Sequence, residues 1–78
     1  ILFSMDERFK EIIAENLNIT NLEEITESAT FDSLGADSLD IAETSMALED
    51  EYKMSFSDDY KPTTLSELWD YIEKNKGK

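Results

Sequence analysis

Leu34-Gly35-Ala36-Asp37-Ser38-Leu39-Asp40 is the stretch on which the reading of this chain turns. A glycine closes an irregular segment, an acid follows, and a single serine opens a strongly patterned helical run. Serine and aspartate at a helix start accept bonds from first-turn N–H groups that lack partners, so the plainest role for Ser38 is a helix cap. A catalytic serine fits poorly. The chain contains no histidine and no cysteine, so Ser38 has no ordinary base to activate it. The nearest lysine in sequence, Lys53, lies a full helix away.

Downstream, the periodicity predicts a helix from Asp37 or Ser38 to about Tyr52. Ile41, Leu48 and Tyr52 recur at seven- and four-residue steps, with Ser45 completing the row, and form a core face. Leu39, Ala42 and Met46 make a neighbouring row, edged by Asp40, Glu43, Glu49 and Asp50. That second row is either a partner-docking surface or the other buried side of a central helix, and periodicity alone admits both. Met46 favours docking, because a flexible thioether adapts to several partners.

Upstream, a first helix is expected from about Met5 to Leu17, with Ser4 and Glu7 at capping-box spacing. Met5, Phe9, Ile12, Ile13 and Leu17 give it one apolar stripe. The long connection from Asn18 to Ala36 carries Ile19, Leu22, Ile25 and Phe31, spaced to pin it across the other helices. Asn21 to Ile25 suits a short helical turn, and Phe31 and Leu34 anchor the end. After Tyr52, Ser57-Asp58-Asp59-Tyr60 suggests a short third helix ended by Pro62. Thr64, with Glu67 at capping-box spacing, opens a last helix whose apolar face is Leu65, Leu68, Trp69 and Ile72. Lys74, Lys76 and Lys78 suit the negative end of its dipole. Without strand-like alternation or repeats, the pattern implies a single all-α domain, a small bundle of three main helices plus a short one.

With 78 residues and no disulfide, helix packing alone must hold a core near the lower size limit. The formal net charge is −12, and residues 11–52 hold twelve acids and no base. Nucleic acid would be repelled by such a segment, whereas basic protein surfaces would be steered to it. The acids do not build a calcium loop: counted from Asp32, the third and fifth positions are Leu34 and Ala36, and Gly35 falls one place early. No structured metal site is expected, only divalent cations as loose counter-charge. No apolar run approaches the ~20 residues of a membrane span, and a cytoplasmic monomer is the expectation. Ile1-Leu2-Phe3-Ser4 is either residue added ahead of a native start at Met5 or a genuine extension; residues 5–78 are read as the functional domain.

Leu34 to Asp40 closely resembles the prosthetic-group attachment site of acyl carrier proteins, where an Asp-Ser-Leu triplet precedes the second helix. Met46-Ala47-Leu48-Glu49-Asp50-Glu51-Tyr52 is similar to that family's Met-Ala-Leu-Glu-Glu-Glu-Phe, and Asp70-Tyr71-Ile72 to the Asp-Tyr-Ile of its last helix. The likeness covers nearly the whole chain from Met5. It implies an antiparallel four-helix bundle with a short third helix, non-catalytic, bearing 4′-phosphopantetheine on Ser38 with an acyl group held as a thioester. Ser38 would then be an acceptor, modified by another enzyme. By the same likeness Asp37, Leu39 and Asp40 help a phosphopantetheinyl transferase engage. Ala42, Glu43, Met46, Glu49 and Asp50 would meet basic patches on synthase enzymes of fatty-acid or related lipid or polyketide biosynthesis.

The chain also departs from the family. Ser33 stands where an acid is usual, the segments Phe31–Leu34 and after Tyr52 are shorter, and Thr44 and Ser45 replace aliphatic residues of the second helix. These changes would narrow or polarise the interior and suggest a specialised carrier rather than the housekeeping one. Two other readings compete: an acidic interaction or inhibitor protein, and a discrete peptidyl-type carrier. Against the first, the unopposed charge stops at Lys53; against the second, Ala36 stands where such carriers place a second glycine.

Overall fold

A computed structural model describes residues 5–60 and 63–77. It contains three α-helices, Glu7–Leu17 (α1), Ser38–Tyr52 (α2) and Leu65–Asn75 (α3), with a single 3₁₀ turn, Leu22–Glu24, in the first connection. No strand occurs among the described residues. The all-α expectation holds as three helices; a four-helix arrangement is not what the described residues form.

The short third helix expected at Ser57–Tyr60 is one hydrogen-bonded turn, Tyr60 N–H donating to Ser57 O at 3.0 Å. Its side chains bond locally instead, the Ser57 hydroxyl donating to Asp59 Oδ1 at 2.6 Å, which competes with helix propagation. That bond holds the Asp59 carboxyl below its usual range. Pro62, expected to end the turn, lies outside the described residues.

α1 begins later than the capping-box spacing suggested. Its N-cap is Asp6, whose side chain makes no cap bond, and Ser4 lies outside the described residues. The Asp6 carboxylate is occupied elsewhere, accepting from the Tyr52 hydroxyl at 2.9 Å. At its other end Asn18 adopts the left-handed conformation, φ 58°, a common helix stop. Phe9, Ile12, Ile13 and Ala14 are buried, as is Met5 ahead of the helix.

The first connection packs as its apolar spacing implied, with Ile25 and Ala29 buried and Ile19, Phe31 and Leu34 partly so. Leu22 is the exception and faces solvent. The Asn21 side chain caps the 3₁₀ turn by accepting from Glu23 N–H at 3.0 Å. The connection also completes α3. The first N–H groups of a helix have no internal partner, and here Leu65 N–H donates to Ala29 O at 2.9 Å and Ser66 N–H to Glu27 O at 3.0 Å.

Thr64 caps α3 as expected, accepting from Glu67 N–H at 3.3 Å, but Glu67 returns its bond to Thr63 N–H at 3.1 Å rather than to Thr64. Leu65, Leu68, Trp69 and Ile72 are buried. Trp69 is the hub between helices, its ring 5.0 Å from Phe9 and 5.6 Å edge-on from Tyr52, with Lys76 Nζ 5.8 Å above it. Gly77, at φ 77°, turns the chain so that its N–H reaches Tyr52 O and Lys53 O at 3.0 and 3.1 Å. The end of α3 therefore satisfies carbonyls that α2 leaves open.

α2 differs from its neighbours. Over fifteen residues it buries only Thr44 and Leu48. The Thr44 hydroxyl donates back to Asp40 O at 2.7 Å, so this buried polar group is satisfied within its own helix.

Candidate functional site

The chain enters α2 through a turn built to end at Asp37. Thr30 and Ser33 bond reciprocally, each N–H donating to the other's hydroxyl at 2.9 Å. This gives Ser33, unusual for the likeness noted above, a local structural task. Ala36 N–H returns to Phe31 O at 3.0 Å, and Gly35 sits at φ 80°. That backbone region favours glycine, and a Cβ there would meet no atom within 4 Å, so the requirement is conformational rather than steric. Phe31 and Leu34 hold the turn against the core.

Asp37 then forms a complete capping box. Its Oδ1 accepts from Asp40 N–H at 2.9 Å, while Asp40 Oδ2 accepts from Asp37 N–H at 3.2 Å. The cap role first considered for Ser38 thus belongs to its neighbours. Ser38 is the first residue of α2, exposed, and its hydroxyl takes no part in the box. The first-turn N–H groups of Ser38 and Leu39 have no intrahelical partner. An exposed alcohol at a helix N-terminus with free amides is a donor set that suits a phosphate ester.

The second row of α2 faces outward. Leu39 and Met46 are 65% and 61% exposed, and Ala42, Glu43 and Asp50 are exposed with them. This decides the question that periodicity left open: the row is a surface, not a second buried face. Asp40 and Glu49 are only partly exposed, each already engaged. Glu49 Oε2 accepts from Phe56 N–H at 2.8 Å, fastening the connection after α2 onto the helix. Glu51 bonds Arg8 at 3.3 Å, and the same guanidinium holds Glu11 at 3.3 Å. The acidic stretch therefore borrows α1's arginine at its far end, and the two carboxylates raise that guanidinium's pKa.

A groove of about 400 Å³ opens beside this face, where the sequence implied an interior narrowed or polarised by Thr44 and Ser45. It lies between α2, the following connection and α3, with Ile41, Ser45, Phe31, Phe56, Tyr60 and Leu68 among its walls. Phe56 and Tyr60 are braced from behind by Tyr71, with ring centroids 5.5 and 4.0 Å away. Burial, followed by the nearby Glu67, raises the Tyr60 phenol above its ordinary value. The signal in the sequence was Ser45 in an otherwise apolar row, but only the folded connection gives that row an opposite wall.

Among the described residues no cluster of three or more metal-ligating side chains occurs, and no helix is long and apolar enough to cross a membrane. Compared with known families, residues 7–72 match the family model described as phosphopantetheine attachment site. Members are in general non-catalytic carriers that meet phosphopantetheinyl transferases and synthase enzymes. A match over this much of the chain means that the protein belongs to the phosphopantetheine attachment-site family and is a carrier with covalently attached 4′-phosphopantetheine as its prosthetic group.

Proposed function

We propose that Ser38 is the attachment residue and that the chain is a non-catalytic acyl carrier protein, working as a cytoplasmic monomer in fatty-acid or related specialised biosynthesis. The observation that carries this is the exposed Ser38 hydroxyl at the N-terminus of α2, with both capping roles taken by Asp37 and Asp40. Attachment joins the serine oxygen to the pantetheine-side phosphate of coenzyme A and releases 3′,5′-ADP; the modifying enzyme takes the hydroxyl proton. The prosthetic group supplies a terminal thiol, which holds an acyl group as a thioester.

The chain's own residues hold and present that arm. The free amides of Ser38 and Leu39 and the positive end of α2 favour the phosphodiester. Asp37 keeps the helix start in register, and Leu39 gives the transferase an exposed apolar contact. Ala42, Glu43, Met46 and Asp50 continue the surface, on which basic enzymes dock quickly and leave quickly. Glu49 contributes charge while also fastening the groove wall. With no cysteine or histidine, the chain brings neither a thiol nor an imidazole to the thioester.

The test is intact mass before and after incubation with coenzyme A and a broad-specificity phosphopantetheinyl transferase. Wild type should gain one phosphopantetheine and Ser38→Ala none. Equal gain by both proteins would place the arm on another residue, and no gain by wild type would end the carrier reading.

A further inference from the structure

Glu49 holds the chain that leaves α2 in three places. Its carbonyl accepts from Lys53 N–H, where the backbone turns left-handed at φ 54°, and from Met54 N–H at 3.2 Å. Its carboxylate reaches past both, Oε2 accepting from Phe56 N–H at 2.8 Å. The connection held in this way borders the docking face. Phe56, Ser57 and Asp58 stand across the groove from Ala42 and Met46, so the exposed row of α2 and this connection form two sides of one surface. The far side is firm only where Phe56 is firm. Its ring stacks on Tyr60 and Tyr71, with centroids 5.8 and 5.5 Å away, and its N–H is the group that Glu49 takes.

The two tasks open to a carboxylate here make different demands. A docking acid offers charge to a partner's cation, and an uncharged amide does not replace it. An acid that fixes backbone needs only an acceptor oxygen in the right place, which the amide of glutamine also supplies. Glu49 is half-buried with Oε2 on Phe56 N–H, whereas Glu43 and Asp50 are exposed beside the row. A cation that claimed that oxygen would release the connection. A loose connection must then be ordered as the partner arrives, and that ordering is subtracted from binding.

We propose that Glu49 is a positioning residue for docking: it acts through Phe56, holding the connection beside the Leu39–Met46 row for a basic partner, and its charge is secondary. This rests on Ser38 bearing the arm and on the row being the docking face. The test follows loading of the full chain by a phosphopantetheinyl transferase, read by mass, with KM and kcat for wild type, Glu49→Gln and Glu49→Ala. Hydrogen exchange of the Phe56 amide is recorded for each. Glu49→Gln should keep Phe56 protected and KM within about twofold of wild type, the range of a neutral surface change. Glu49→Ala should lose that protection and raise KM by about fivefold or more, the cost of ordering two side chains of the connection, with kcat unchanged. Because both variants lack the charge, the gap between them should persist at raised salt. A purely structural bond would lower the melting temperature of Glu49→Ala and leave the KM of the folded protein where it was, a result that overturns the inference. Glu49→Gln as impaired as Glu49→Ala, with Phe56 still protected, assigns the work to charge and overturns it too. Should Glu49→Ala not fold, Glu49→Gln decides alone by the same limit on KM. Failure of wild type to gain any arm is read by mass; it defeats the attachment reading and this inference with it.

Discussion

α2 and α3 lie in one small domain and handle their side chains in opposite ways. α3 puts Leu65, Leu68, Trp69 and Ile72 into the core from eleven residues, whereas α2 buries Thr44 and Leu48 from fifteen. α3 is positioned by what it buries. α2 is positioned by its ends and fasteners: the Asp37–Asp40 box at its start, Glu49 to Phe56 midway, and Gly77 on its last carbonyls. The difference shows how a carrier of this size can expose apolar side chains without unfolding. Polar bonds to the backbone hold the helix while Leu39 and Met46 stay exposed.

The sharpest way to break that comparison is at the one large apolar side chain α2 buries. Leu48→Ala should cost about 2–5 kcal/mol, as for other fully buried leucines, measured by urea unfolding. A loss below about 1 kcal/mol, the range of a peripheral contact, would mean that fasteners alone hold α2. Next come the fasteners. Glu49→Ala should cost about 1.5–3 kcal/mol, the worth of a hydrogen bond to a charged group. Glu43→Ala, on the open face, should stay within about 0.5 kcal/mol. Equal effects would remove the distinction between the two acids. Asp37→Ala should cost about 1 kcal/mol through the lost cap.

The tie between α1 and the end of α2 predicts a pH dependence. Burial, and then the bond to Asp6, raise the Tyr52 phenol above its ordinary 10.0. The folded state therefore holds this proton more tightly than the unfolded chain does. Its stabilisation is complete below about pH 10 and is lost as pH rises from there towards the folded value. Urea unfolding between neutral pH and pH 11 should show a falling limb that Tyr52→Phe flattens, and an unchanged limb would assign the loss to other groups, Tyr60 among them. The smallest effect on stability is expected at the exposed row. Met46→Ala should leave unfolding within about 0.5 kcal/mol yet slow loading by the transferase several-fold. A larger stability loss would mean that Met46 is structural.

Much of this was legible in the chain because its signals are local. The stripe Phe9, Ile12, Ile13 marks α1, Thr64 with Glu67 marks the start of α3, and Asn21 marks the 3₁₀ turn; each depends on residues within one turn of one another. The run Leu34–Asp40 pointed to the attachment family for the same reason. Ser57-Asp58-Asp59-Tyr60 forms the short turn its composition suggested and propagates no further, since the Ser57 hydroxyl bonds Asp59 locally. Asp6 stands at the start of α1 without making a cap bond, because its carboxylate accepts from Tyr52, 46 positions away.

The amino-acid sequence by itself determined that the chain is helical, acidic between residues 11 and 52, lacking thiol and imidazole, and punctuated by a serine at the head of its second helix. Those properties are additive along the chain. The box by which Asp37 and Asp40 free Ser38 from capping is likewise local, three residues apart. Tertiary structure alone decided that the Leu39–Met46 row faces solvent and that Glu49 closes one wall of a groove. Each depends on which groups meet across the fold, where burial and hydrogen bonding are settled between segments and not within them.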